Sequence, residues 1–81
     1  MASWKWEGWE ALDAWEIDKD DSVVDAVYGA LFAALDDDLP GSEVPFASPP
    51  TLRILYTPRA AIYFNALPQT GKLVLSSIVS R

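Results

Sequence analysis

Eighty-one residues with a net charge of −6, no cysteine and no histidine exclude several classes at once. Disulfides, thiolate or imidazole metal sites and every Ser-His or Cys-His nucleophile are ruled out, so any catalysis would have to use carboxylates, tyrosines, lysines or arginines. The length fits a single small domain over residues 1–81. Its 51% hydrophobic content and four tryptophans leave apolar surface for a protein partner or a second copy to cover.

Ser3-Trp4-Lys5-Trp6-Glu7 alternates aromatic and charged residues at the period of a half-buried strand. Gly8 breaks the pattern. Trp9, Leu12 and Trp15 then recur every third residue, as in a short helix with Glu10, Asp13 and Glu16 outward. One continuous helix from Ser3 is the alternative reading. A polar connector, Asp18-Lys19-Asp20-Asp21, leads to Ser22-Val23-Val24-Asp25, a capping-box variant that predicts a helix from about Val23 to about Leu35. Val23, Val24, Val27, Ala30, Leu31, Ala34 and Leu35 form its apolar stripe.

Asp36-Asp37-Asp38 follows, opposing the helix dipole; it reads as a solvated face, or as a docking patch for a basic partner or a divalent-cation site. Residues 39–51 form a connection containing Pro40, Gly41, Pro45, Pro49 and Pro50, long enough to wrap an edge or touch a partner. Three antiparallel strands complete the chain. They are Leu52–Tyr56, Ala61–Asn65 and Lys72–Ser80, joined by turns at Thr57-Pro58-Arg59 and Pro68-Gln69-Thr70-Gly71. On this reading Leu52, Ile54 and Tyr56 share a face with Ile62 and Phe64. Leu55, Ala61 and Tyr63 line the other, a candidate dimer or partner surface.

The predicted class is therefore α+β: a short N-terminal strand and one or two helices packed on a three- to four-stranded antiparallel sheet. No stretch approaches the ~20 apolar residues that span a bilayer, and Met1-Ala2-Ser3 opens no signal peptide. The expectation is a cytoplasmic protein without membrane contact.

Charge divides the chain. Residues 1–40 carry eleven acids against Lys5 and Lys19, giving −9; residues 41–81 carry Glu43 against Arg53, Arg59, Lys72 and Arg81, giving +3. Long-range repulsion disfavours nucleic acid. The four cations are the candidates for binding an anion, against a plainer role as sheet-edge charges. Trp4, Trp6, Trp9 and Trp15, with Asp36, Asp37 and Asp38, are the candidates for binding a protein partner. Asp18, Asp20, Asp21 and Asp25 fail as a calcium loop, because the sixth position from Asp18 is Val23 and not glycine. No metal, cofactor or catalytic residue is predicted.

Thr51-Leu52-Arg53-Ile54-Leu55-Tyr56, then Ala61-Ile62-Tyr63-Phe64, then Gly71-Lys72-Leu73-Val74-Leu75 to Arg81, resembles the sheet of the RelE/ParE toxin superfamily. The order strand–helix–helix–three strands is also similar to that family's. The resemblance implies a bacterial toxin–antitoxin component wrapped by a protein partner, with Arg53 and Arg81 where the family tends to place basic residues. The acidity, the lack of histidine and the short first helix depart from the pattern and argue against ribosome-dependent RNA cleavage. An acidic inhibitor or immunity-type protein covering a basic partner is the second reading. A small nuclease using Arg53, Tyr56, Tyr63 and Arg81 is the third.

Overall fold

The computed structural model describes residues 4–45 and 51–81. Ser3 of the expected first strand, and Pro49 and Pro50 of the connection, lie outside them. The elements run β1 (Lys5–Glu7), α1 (Trp9–Glu16), α2 (Asp21–Ala34), β2 (Ser42–Glu43), β3 (Leu52–Thr57), β4 (Ala60–Leu67) and β5 (Lys72–Ser80). The fold is α+β, with one five-stranded sheet in the order β1-β5-β4-β3-β2. The sheet is mixed and wider than the expected three to four antiparallel strands. β1 pairs with β5 in parallel, and Ser42–Glu43 of the proline-rich connection pairs along the edge of β3.

Gly8 makes the turn from β1 into α1. Its φ of 82° lies in the left-handed region, and a Cβ there would sit 2.7 Å from the Leu75 carbonyl oxygen on β5. Only glycine lets the chain turn this tightly against its neighbouring strand. The next helix starts two residues before the expected position. Asp20 is the N-cap, extended at φ −65° and ψ 144°, so Ser22 lies inside the first turn and caps nothing. The Asp20 carbonyl accepts from the amides of Val23 and Val24.

Val23, Val27, Leu31 and Ala34 recur at helical spacing and bury one stripe of α2, while Leu12 does the same for α1. They meet a sheet face set by register: Ile62 opposes Ile78, Phe64 opposes Leu75 and Ala66 opposes Leu73. Trp6 closes this core at its β1 edge, its ring edge-on to Phe64 with centroids 5.3 Å apart.

Two register features decide which side chains point inward. The β3–β4 connection is a two-residue turn, Pro58-Arg59, with Thr57 opposite Ala60. A loop one residue shorter than expected flips the facing of one strand relative to the other. Leu52, Ile54 and Tyr56 therefore share the face away from the helices with Ala61 and Tyr63, while Arg53 and Leu55 join Phe64 and Ile62 on the helix side. This corrects the expected grouping. In β5, an irregularity opposite Tyr63/Phe64 leaves Ser76 unmatched between the pairs Phe64–Leu75 and Tyr63–Ser77. The extra residue turns Ile78 into the core and leaves Val79 half exposed.

Candidate functional site

The four tryptophans occupy three different environments. Trp6 is 5% exposed, and its indole Nε1 donates to the Leu31 carbonyl at 2.7 Å. Trp4 is half-buried and donates from Nε1 to the Asp37 carbonyl at 2.8 Å. The end of α2 tightens, with Leu35, Asp36 and Asp37 amides donating to Phe32, Ala33 and Ala34 carbonyls. The two indoles thus satisfy carbonyls at a helix end, where partners within the helix run out. Trp15 is half-buried, donating to Ser80 Oγ at 3.3 Å under the Lys19 ammonium, 5.7 Å from its ring centroid. Trp9 is the exposed tryptophan, at 37%.

Trp9 does not stand alone. Its ring stacks on Tyr28 at 6.5 Å and 18°, and Tyr28 stacks on Phe32 at 6.3 Å and 23°. Tyr28 and Phe32 are four residues apart on α2, off the buried stripe, and Phe32 is 58% exposed. The result is a surface strip of three rings spanning both helices.

Carboxylates border the strip. Asp13 and Glu16 follow Trp9 by four and seven residues on α1; Asp25 precedes Tyr28 by three, and Asp36 follows Phe32 by four. The Tyr28 hydroxyl donates to Glu16 Oε2 at 3.3 Å. Desolvation raises the Tyr28 phenol pKa above its ordinary value, and the charges of Glu16 and Asp13 push it the same way. Among the described residues the ion pairs are Lys19–Asp18 at 2.9 Å and Lys72–Glu7 at 3.1 Å. Asp13, Glu16, Asp25 and Asp36 have no cation among them. Asp37 and Asp38 are exposed beyond the helix, beside the half-exposed Leu39.

The predicted anion-binding set does not assemble. Arg53 turns toward the helix side, where Nε donates to the Pro40 carbonyl at 2.7 Å and Nη2 to the Gly41 carbonyl at 2.8 Å. It anchors the connection, whose Gly41 has φ 76° and would place a Cβ 2.7 Å from the Ile54 carbonyl oxygen. Lys72 pairs with Glu7 at the start of β5. Arg59 and Arg81 alone remain together, at the far end of the sheet, with Arg81 held 4.8 Å over the Tyr56 ring. The nuclease grouping also divides. Tyr56 and Tyr63 lie on the face away from the helices, whereas Arg53 opposes Phe64 on the helix face.

Tyr28 and Phe32 are the residues that the predicted site lacks. Their signal was an aromatic pair at helical spacing outside the fully buried stripe, with Tyr28 half-buried against the core and Phe32 exposed. Among the described residues no cluster of three or more acidic side chains could hold a metal ion, and no helix is long and apolar enough to cross a membrane. No family model, curated protein or solved structure matches the chain.

Proposed function

We propose that the chain is a protein-binding domain of RelE/ParE-like type, a component of a bacterial toxin–antitoxin or related regulatory system in the cytoplasm, and that it docks its partner on the helical face. The observation that carries this reading is the Trp9–Tyr28–Phe32 strip, with Trp9 and Phe32 exposed and, among the described residues, no cation paired with the carboxylates beside it. Aromatic rings are enriched among the few residues that dominate interface energies, and an acidic rim selects a basic partner. The partner implied is a basic amphipathic segment with apolar side chains on the rings and lysines or arginines along the rim. A second copy of the chain is a poorer fit, because it would bring the same acids against each other. The strand–helix–helix–strand order supports the RelE/ParE-like assignment.

A second reading, an acidic inhibitor or immunity-type protein, draws on Asp36, Asp37 and Asp38, exposed beside Phe32 and Leu39. It uses the same end of the same face against a folded basic enzyme instead of a segment.

Co-expression with the product of each neighbouring gene tests both. The native chain is expected to retain one small basic product, and the W9S/F32S double variant to lose it. Raising the salt should weaken retention, since exposed charges are screened within ~10 Å at 0.1 M. A partner held equally well by the double variant would overturn the docking face. Retention of a folded enzyme whose activity falls on binding would favour the inhibitor reading.

A further inference from the structure

Both helices pack on the side of the sheet that carries Ile62 and Phe64, and among the described residues no helix or strand packs on the other side. An antiparallel sheet with one solvated face normally turns polar side chains out there. This sheet turns out Leu52 and Tyr56 on β3, Tyr63 and Leu67 on β4, and Val74 and Val79 on β5. Tyr56 is 61% exposed and Val79 50%; the other four are half-buried.

The polar groups of this face are answered from within the chain or lie at its margins. Asn65 Oδ1 accepts from the Thr51 hydroxyl at 2.8 Å, and Lys72 pairs with Glu7 at 3.1 Å. Lys5 lies on the edge strand β1, opposite the start of β5. Arg81 lies at the other end of the sheet, 4.8 Å over the Tyr56 ring. The middle, where Tyr63 stands between Ile54 and Ser77, carries no charge. A tyrosine centre free of charge, with cations kept to the rim, is the composition of an interface core. The layer behind it is the reverse: α1 and α2 hold Glu10, Asp13, Glu16, Asp21 and Asp25 and no lysine or arginine.

We infer that a second copy of the chain docks on this face, sheet against sheet, about a two-fold axis that crosses the strands near Tyr63. Such a contact uses the same patch on both copies and closes at two. Charge placement favours this occupant. Packing through the sheets leaves the two acidic helical layers outermost, whereas pairing through the helices would oppose them. The axis sets the two Arg81 side chains at opposite ends of the interface and separates the two Lys5 side chains in the same way. An acidic partner would instead find Lys5 and Arg81 far apart, with apolar surface between them. The area is also sufficient. With strands about 4.8 Å apart and about 3.3 Å per residue, the face measures roughly 20 by 25 Å, on the order of 500 Å². That is about a tenth of the chain's 5083 Å² surface, and two copies bury on the order of 1,000 Å², where specific interfaces begin. The Trp9 strip stays free, so the inference does not rest on the proposed function.

Sedimentation equilibrium over a concentration series, with ¹⁵N spectra of the same samples, is the test. The native chain is expected to pass from monomer to dimer between about 1 µM and about 1 mM, as suits a small interface. The amides of Tyr63 and Ser77 should shift with concentration while those of α2 stay still. Tyr63→Glu should weaken dimerisation at least about thirtyfold, the loss of a central hot-spot side chain. Ser77→Arg guards against misfolding as the cause: Ser77 is exposed opposite Tyr63, so the change removes no buried group. It sets a charge at the centre of the interface and should weaken dimerisation about tenfold or more. W9S/F32S should dimerise as the native chain does, which separates this face from the aromatic strip. The inference fails if the native chain is still monomeric at about 1 mM, or if S77R keeps the native spectrum and dimerises unchanged. A monomer whose sheet face is taken by the product of a neighbouring gene also overturns it and gives the face to that partner.

Discussion

Trp6 and Trp9 are three residues apart, yet they belong to regions that use aromatic side chains in opposite ways. Around Trp6 the ring is buried, edge-on to Phe64, and its N–H is bonded to a helix-end carbonyl. Trp4 repeats the device half a step further out, on Asp37. Around Trp9 the rings stack on one another across α1 and α2, with Tyr28 half-buried and Trp9 and Phe32 exposed, and among the described residues no cation pairs with the carboxylates nearby. The first region joins sheet to helix. The second rests on the core through Tyr28 and turns Trp9 and Phe32 outward. Aromatic content alone therefore says nothing about role; what separates the two is whether the ring's polar and apolar parts are both answered from within the chain.

Three variants probe the division in decreasing order of effect. Trp6→Ala should be the most damaging, because it removes a core ring and leaves the Leu31 carbonyl without its donor. The expected cost is about 3–5 kcal/mol, read as a drop in urea midpoint. A loss below about 1 kcal/mol would mean that β1 is not a structural part of the core. Gly8→Ala acts at the residue between the two regions. A methyl 2.7 Å from the Leu75 carbonyl, on a left-handed backbone, should cost about 1–3 kcal/mol. A variant as stable as the native chain would contradict the tight crossing over β5. Trp9→Ser with Phe32→Ser should have the smallest effect on folding, and that expectation bears hardest on the account.

Much of the fold was legible in the residues. Alternation marked the meander and β1, spacing at three and four marked both helices, and Gly8 marked the break between β1 and α1. The errors have local causes. The three-residue reading of the Thr57–Arg59 turn put Ile54 on the wrong face, because side chains alternate with a period of two and one residue of loop length inverts them. The bulge at Ser76, which brings Ile78 inward, has no signature in the run Leu73-Val74-Leu75-Ser76-Ser77-Ile78-Val79. The pairing of β1 with β5 joins residues almost seventy positions apart, beyond what periodicity reports.

The site was less legible. Tryptophans stood out by type, but Trp6 and Trp9 look alike in sequence, and only tertiary contacts tell them apart. Arg53 looked free because nothing local shows that the carbonyls of Pro40 and Gly41 fold back onto it. Tyr28 and Phe32 could have been found: they flank the buried stripe of α2 at the correct spacing for one face, Tyr28 packed against the core and Phe32 left outside it.

Urea unfolding of the W9S/F32S variant, run beside Trp6→Ala, tests the division between the two aromatic regions most directly. The account predicts that the double variant stays within about 1 kcal/mol of the native chain, with an unchanged dependence on urea. A loss approaching that of Trp6→Ala would make the exposed strip part of the fold and contradict its role as a docking face.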